Sequence, residues 1–251
     1  MRTPSTDSSG VEAPARGWHL VMPVKLLGAA KSRLSGLGPA RAELALALAL
    51  DTVAAATRTR GVRGVLVVTD DERVAAALAH HGARSIPDIP AAGLNAALRH
   101  GVAQLRGDGP VAALTADLPA LRPAELEAAL AECAKHRLAF VPDAEGSGTT
   151  MLAARSAADF QPHFGPGSAA AHRAVGAVAV AGHLMSLRQD VDTLAGLDTA
   201  RALGVGTRTM AVLAVLAGLA GLDGLAGVAE HGVLAELGTL VEPPAHPTEG
   251  R

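Results

Sequence analysis

Residues 20–34 read LVMPVKLLGAAKSRL. The apolar run Leu20–Val24 predicts a short buried strand, and the loop after it carries Lys25, Lys31 and Arg33. In an open α/β sheet, ligands bind at the carboxyl ends of the strands. Lysine offers a point charge to a phosphate and arginine can hold two of its oxygens, so this loop suits a polyphosphate. An ordinary solvated loop is the alternative that these residues leave open.

The remaining chain predicts alternating strands and helices. Such alternation indicates right-handed βαβ units and a parallel sheet with helices on both faces. The predicted elements are helix 39–59, strand 62–69, helix 70–81, strand 83–87, helix 93–105, strand 111–116, helix 123–137, strand 138–142, strand 151–154, a helix ending near 175, strand 185–187 and helix 195–203.

Composition limits the function classes. The chain has 251 residues, of which 49% are hydrophobic, so it can bury the core of one full domain. A net charge of -2 and only 2% aromatic residues argue against nucleic-acid binding, which needs a basic face or a stacking platform. Cys133 is the single cysteine, which excludes an intramolecular disulfide and a cysteine-based zinc site. Its position within a predicted helix indicates a structural role.

The two ends of the chain differ in composition from its middle. Residues 1–17 are rich in Ser, Thr, Pro and Gly and lack the apolar segment of a signal peptide, which predicts a disordered leader and a cytoplasmic protein. Residues 18–209 form the predicted domain. Residues 210–251 form an apolar, partly disordered tail, in which glycines and Asp223 interrupt the ~20 apolar residues that a membrane span needs. We therefore expect no membrane role, and a helical tail that packs on the domain or on a second subunit.

Three aspartates at the ends of predicted elements are candidate metal ligands. Asp117 follows an apolar strand, and a buried carboxylate there needs a partner such as Mg²⁺ bound to substrate phosphates. Asp190 and Asp192 are two residues apart, so in an extended segment they point to the same side and repel each other unless a cation lies between them. A turn or helix-capping role is the alternative for Asp117 and Asp192. Taken together, the three acids favour a metal.

Two glycine-rich loops are candidate anion sites. Gly146–Thr150 and Gly165–Ser168 combine glycines, which let backbone amides approach an anion, with hydroxyl donors. Plain turns are the alternative for each loop. His172, in the helix after the second loop, is interpreted as a helix-surface histidine. The chain has no Walker loop and no Gly-x-Ser-x-Gly elbow, and cations, acids and anion loops without a nucleophile fit direct nucleotidyl transfer.

Ordered motifs across residues 18–209 resemble a known family. The matching segments are Pro23-x-Lys25, Ala30–Leu34, Val68–Asp71, Gly93–Asn95, Ala116–Pro119, Pro142-Asp143, Gly146–Thr150, Phe164–Ser168 with His172, and Asp190–Thr193. The resemblance is to the guanylyltransferases that activate phosphoenolpyruvate or 2-phospho-L-lactate in biosynthesis of the deazaflavin coenzyme F-420. It implies a single α/β domain of the nucleotide-diphospho-sugar-transferase-like (Rossmann-like) type, a mixed sheet flanked by helices.

The resemblance also implies a reaction and a set of site residues. GMP would pass from GTP to the phosphate of phosphoenolpyruvate, and pyrophosphate would leave. Lys25, Lys31 and Arg33 would be catalytic, and Asp117, Asp190 and Asp192 would hold Mg²⁺. The nucleotide would contact Pro23, Lys25, Thr69, Gly93 and Asn95. The acceptor would contact Thr149 or Thr150, Gly165 and Ser168.

Several alternatives stay open at the level of sequence. The acceptor could be 2-phospho-L-lactate or 3-phospho-D-glycerate, although the composition suggests an actinobacterial-type source, whose relatives use phosphoenolpyruvate. The nearest rival is another nucleotidyltransferase of this fold, such as one that uses a cytidine or molybdopterin substrate. A non-catalytic nucleotide-binding or assembly protein of the same fold is a more distant alternative. A downstream transferase that takes up the activated product is an expected partner, and a homodimer is one of the open oligomeric states.

Overall fold

The computed structural model describes residues 17–28, 31, 34, 37–38, 40–106 and 109–220. Its strands are β1 Trp18–Pro23, β2 Val62–Val68, β3 Arg84–Ile86, β4 Val111–Leu114, β5 Leu138–Pro142, β6 Thr149–Ala154 and β7 Val178–Ala179. Its helices are α1 Ala40–Thr57, α2 Glu72–Leu78, α3 Leu94–Ala103, α4 Pro123–Cys133, α5 Ser168–Ala174, α6 Met185–Arg188, α7 Leu194–Leu203 and α8 Thr207–Ala220.

The strands form one mixed sheet in the order β3-β2-β1-β4-β6-β5-β7. The pairs β1–β2, β1–β4, β2–β3 and β5–β7 are parallel, whereas β6 runs antiparallel to both β4 and β5. The predicted mixed α/β fold of the nucleotide-diphospho-sugar-transferase-like type is confirmed.

Strand β1 shows why the strands of this sheet are continuous apolar runs in the sequence. Leu20 and Met22 belong to one buried cluster, and Val21 belongs to a second one. Successive side chains of a strand point to opposite faces, so β1 is covered on both sides. Helices α1, α2 and α4 contribute to the first cluster, and α3 and the three phenylalanines to the second.

Helix α8 includes the first part of the predicted tail. It begins at Thr207 and packs against α1, with Val212 buried between them. Asp51 of α1 accepts the backbone N–H groups of Thr209 (2.8 Å) and Arg208 (3.3 Å), which have no acceptor within the first turn of α8. Residues 1–16 and 221–251, which hold most of the predicted leader and tail, lie outside the described residues. No helix within the described ranges has the length and apolar character needed to cross a membrane.

The prediction of a strand at 185–187 is wrong, because this segment forms helix α6. Three residues are too few for hydrophobic periodicity to separate a strand from a helix. A tertiary contact stabilises the start of this helix, because Glu125 of α4 accepts the backbone N–H groups of Ser186 (2.8 Å) and Leu187 (3.4 Å). The short edge strand β7, which was not predicted, has only two residues, both of them exposed.

Candidate active site

A cleft of about 920 Å³ opens at the carboxyl ends of the parallel strands. Lys25 lies in its wall just after β1, Asp117 just after β4, and Asp143 just after β5. Thr149 is the first residue of β6, and it reaches the same edge because β6 runs in the opposite direction and pairs Thr149 with Pro142. The position of the cleft is the one that the strand-end rule predicts for a ligand.

Asp117, Asp190 and Asp192 come together in this cleft. One carboxylate oxygen from each residue lies within 4.8 Å of the others. The backbone N–H of Val191 donates to the carbonyl of Asp117 (3.1 Å), which ties the segment between α6 and α7 to the end of β4. The cluster therefore joins two parts of the chain that are far apart in sequence.

The ammonium of Lys31 partly neutralises this acidic cluster. Its Nζ atom contacts Asp117 Oδ2 and lies 3.0 Å from Asp192 Oδ1. Burial alone would lower the pKa of Lys31, but the attraction of Asp117 and Asp192 outweighs it, so the pKa is raised and the side chain stays charged.

One ammonium does not balance three carboxylates. Burial, and then the charges of Asp117 and Asp192, raise the pKa of Asp190 to about 7. Oδ1 of Asp117 is buried and has no hydrogen-bond partner among the described residues. Unsatisfied carboxylate oxygens and surplus negative charge are what a hard divalent cation such as Mg²⁺ relieves. The residues present thus fit a metal ion.

The first glycine-rich loop is held by Asp143. Its Oδ2 atom accepts the backbone N–H of Gly148 (2.8 Å), and a Cβ atom on Gly148 would collide with this carboxylate. Oδ1 of Asp143 and Oγ1 of Thr115 are buried without a partner in the described part of the chain, and both residues line the cleft. Sequence reasoning gave Asp143 no role, although it follows β5 as Asp117 follows β4.

The second glycine-rich loop is held by Asn95 at the start of α3. Asn95 Nδ2 donates to the carbonyl of Phe164 (2.9 Å), and the N–H of Phe164 donates to Asn95 Oδ1 (2.8 Å). Gly165 and Ser168, which follow Phe164, line the cleft. The side chain of Asn95 therefore positions this loop.

The interpretation of His172 as a surface residue is wrong, because the structure buries it completely. Its Nδ1 atom lies 2.9 Å from Oγ1 of Thr149, and its Nε2 atom accepts the backbone N–H of His163 (3.0 Å). Burial, and then the charge of His163, lower the pKa of His172 to about 4. Helix α5 is too short for its sequence to reveal which face is buried.

The predicted site residues separate into three groups. Those that line the cleft are Pro23, Lys25, Lys31, Asp117, Thr149, Gly165, Ser168, Asp190 and Asp192. Those outside its lining are Thr69, Gly93, Asn95 and Thr150. Thr69 Oγ1 accepts the N–H of Asp71 (3.1 Å), and Thr150 is fully buried. Arg33 lies outside the described residues.

Comparison with known proteins identifies the family. Residues 28–192 match the MobA-like NTP transferase domain. A phosphoenolpyruvate guanylyltransferase of Thermomonospora curvata is 54% identical over 201 residues, which cover 78% of this chain and 88% of the relative. One from Streptomyces coelicolor is 53% identical over 204 residues, covering 78% of this chain and 95% of the relative. The chain belongs to the phosphoenolpyruvate guanylyltransferase family.

Solved structures show the same fold for this guanylyltransferase-family chain at much lower identity. A protein described as a nucleotide-diphospho-sugar transferase from Desulfovibrio desulfuricans superposes with a TM-score of 0.60 at 16% identity, over 79% of this chain and 94% of that one. A 4-diphosphocytidyl-2C-methyl-D-erythritol synthase from Anaerococcus prevotii superposes with a TM-score of 0.52 at 11% identity. This match covers 74% of this chain and 95% of that one. These two likenesses concern the fold alone.

Proposed function

We propose that the chain transfers GMP from GTP to the phosphate of phosphoenolpyruvate, giving enolpyruvoyl-2-diphospho-5'-guanosine and pyrophosphate. The observation that carries the proposal is the meeting of Lys31 with Asp117, Asp190 and Asp192 in a cleft that both glycine-rich loops also line. The names of two relatives at 53–54% identity, both phosphoenolpyruvate guanylyltransferases, support phosphoenolpyruvate as the acceptor.

The chemistry needs positioning and charge neutralisation more than proton transfer. A phosphate oxygen of the acceptor, already ionised near neutral pH, forms a bond to the α-phosphorus of GTP as the bond to pyrophosphate breaks in line. Lys25 and Lys31, together with Arg33, neutralise the phosphates during this transfer. When Mg²⁺ is bound by Asp117, Asp190 and Asp192, it supplies further positive charge to the same phosphates.

The two substrates would occupy different parts of the cleft. GTP would lie over the loop after β1, with Pro23, Lys25, Thr69, Gly93 and Asn95 as its proposed contacts. The acceptor would lie at the two glycine-rich loops, against Gly165 and Ser168. Thr149 is a better acceptor contact than Thr150, because Thr149 lines the cleft. Thr150 is fully buried, and its hydroxyl donates to the backbone carbonyl of Val141 (3.5 Å).

The proposal also covers the enzyme that consumes the product and the cellular location of the reaction. The product is a mixed anhydride of two phosphates, and a downstream transferase that consumes it in coenzyme F-420 biosynthesis is the proposed partner. The proposed location is the cytoplasm.

The test is pyrophosphate release by the full chain with Mg²⁺ and GTP, with phosphoenolpyruvate, 2-phospho-L-lactate and 3-phospho-D-glycerate added in turn. We expect release with phosphoenolpyruvate and much less with the other two. Asp117→Asn should reduce the rate about 100-fold or more, because it removes charge from the metal site. Asp198→Asn, at an exposed position on α7, is the matched control. Unchanged turnover in Asp117→Asn would overturn the metal assignment, and faster release with another acceptor would overturn the substrate.

A further inference from the structure

His172 is buried and touches Thr149, but the proposed reaction gives it no task. It lies on α5, behind the wall of the cleft, and it does not line the cleft itself. Two of the chain's three phenylalanines enclose its ring, with centroids 5.6 Å away for Phe140 and 5.2 Å away for Phe164. In a chain so poor in aromatics, this enclosure fixes the orientation of one imidazole.

The contacts of the ring determine which nitrogen carries the proton. The backbone N–H of His163 points at Nε2 from 3.0 Å, so Nε2 must offer a lone pair. A neutral imidazole then carries its single proton on Nδ1. That proton is donated to Oγ1 of Thr149, 2.9 Å away. A charged ring would place two N–H groups against each other at Nε2.

The tautomer in turn determines the direction of the Thr149 hydroxyl. Because Oγ1 accepts from His172, its own hydrogen must find another acceptor. Within the described part of the chain Oγ1 has no second hydrogen-bond partner, and Thr149 lines the cleft. A donor held in advance towards the cleft suits an anionic oxygen, since a hydrogen bond to a charged acceptor contributes more than one to a neutral group.

We propose that His172 is a positioning residue that fixes the Thr149 hydroxyl as a hydrogen-bond donor to an anionic oxygen of the acceptor substrate. This inference rests on the proposed function for the identity of that substrate. The direction of the hydroxyl rests only on contacts within the chain.

The first test reads the tautomer directly and needs no activity. Imidazole ¹⁵N–¹H correlation spectra of the full chain should show His172 protonated at Nδ1 and unprotonated at Nε2, with the signal assigned by its loss in His172→Gln. A proton on Nε2 would overturn the proposal, because Thr149 would then have to donate to His172.

The second test separates positioning from simple packing by kinetics. His172→Asn keeps a donor near the Nδ1 position, whereas His172→Gln places its amide near Nε2 and has no donor towards Thr149. We expect the Gln variant to raise the KM for phosphoenolpyruvate roughly 10- to 100-fold, with the KM for GTP unchanged, and the Asn variant to recover much of this loss. Equal losses in both variants, in proportion to a lowered Tm, would indicate packing alone and overturn the proposal.

A double-mutant cycle checks that His172 acts through Thr149. Thr149→Val should raise the KM for phosphoenolpyruvate by a similar factor, and adding His172→Gln should cause no further increase. Additive effects would overturn the proposal. If the wild-type chain shows the Nδ1–H tautomer but releases no pyrophosphate with any acceptor, the proposed function fails and the hydroxyl assignment stands.

Discussion

Lys31 Nζ lies 3.0 Å from Asp192 Oδ1, although the two residues are 161 positions apart in the sequence. The ammonium thus contacts carboxylates that are also the proposed ligands of a metal ion. A lysine and a divalent cation in the same cluster repel each other, so the charge of Lys31 affects both metal binding and the phosphates.

Lys31→Met separates these two effects. The variant should bind Mg²⁺ roughly tenfold more tightly in the absence of nucleotide, because no ammonium competes for Asp117 and Asp192. It should also release pyrophosphate about 100-fold more slowly, because positive charge beside the phosphates is lost. Titration calorimetry and steady-state kinetics measure the two quantities. Lys135→Met, which removes a lysine paired with Glu132 outside the cleft, is the matched control. Weaker Mg²⁺ binding in Lys31→Met would contradict the prediction.

Asp190 should make the free energy of unfolding of the metal-free protein depend on pH. Its pKa rises from 3.8 to about 7 through burial and the neighbouring carboxylates, so the folded state binds more protons than the unfolded state between these values. The free energy of unfolding therefore falls as the pH rises through this window. With a metal chelator present at pH 8, the free energy of unfolding of Asp190→Asn should exceed that of the wild type by roughly 1–3 kcal/mol. This range allows for screening of the charges by water.

Urea unfolding at pH 5 and pH 8 measures this difference. At pH 5 the two proteins should differ much less, because the carboxyl of Asp190 is then mostly protonated in the folded state. Adding Mg²⁺ at pH 8 should stabilise the wild type more than the variant. A stability gap that is the same at both pH values would show that the ionisation of Asp190 is not its cause.

Gly148→Ala tests the close approach of the first glycine-rich loop to Asp143. A methyl group at this position collides with the carboxylate, so the loop or Asp143 must move. We expect a loss of roughly 1–3 kcal/mol in the free energy of unfolding and about a tenfold higher KM for the acceptor. Gly218→Ala, in α8 with open space around it, is the control and should be neutral or slightly stabilising. An unchanged acceptor KM in Gly148→Ala would contradict a role for this loop in acceptor binding.

Asn95→Ala distinguishes two roles for a residue that the sequence placed with the nucleotide. If Asn95 mainly positions Phe164 and the loop after it, the KM for the acceptor rises about tenfold through the loss of two hydrogen bonds, and the KM for GTP changes little. A rise in the KM for GTP alone would instead favour direct contact with the nucleotide. Steady-state kinetics with each substrate varied in turn gives both values.

Asp51→Ala should loosen helix α8 from the domain. Its carboxylate accepts the N–H groups of Thr209 and Arg208, and losing such a cap costs about 1–2 kcal/mol. Denaturant unfolding and hydrogen exchange of α8 amides measure the effect, with Asp198→Ala at an exposed position as the control. Equal exchange rates in wild type and Asp51→Ala would show that the helix is held by its apolar contacts with α1 alone.

The sequence predicted the features that depend on local patterns. Apolar β-branched runs and the glycine and proline signals placed most strands and helices, and the strand-end rule placed Asp117 at the cleft. Asp190 and Asp192 reach the cleft from the segment between α6 and α7, because the strand predicted before them is a helix. The sequence could not show contacts made by tertiary packing. Glu125 accepts two backbone N–H groups at the start of the helix at 185–188, and the rings of Phe140 and Phe164 enclose His172. The assignment of individual site residues to GTP and acceptor stays a prediction.

The reversed direction of β6 makes the first glycine-rich loop, one of the two proposed acceptor loops, part of a single hairpin. Strands β5 and β6 are consecutive in sequence and in the sheet, and residues 143–148 connect them at the cleft. Strands β1 and β2, with the loop proposed for the nucleotide, lie on the other side of β4. One half of the proposed acceptor site is therefore a short contiguous segment that can be exchanged by grafting, whereas the other half, Gly165–Ser168, comes from the chain at the start of α5.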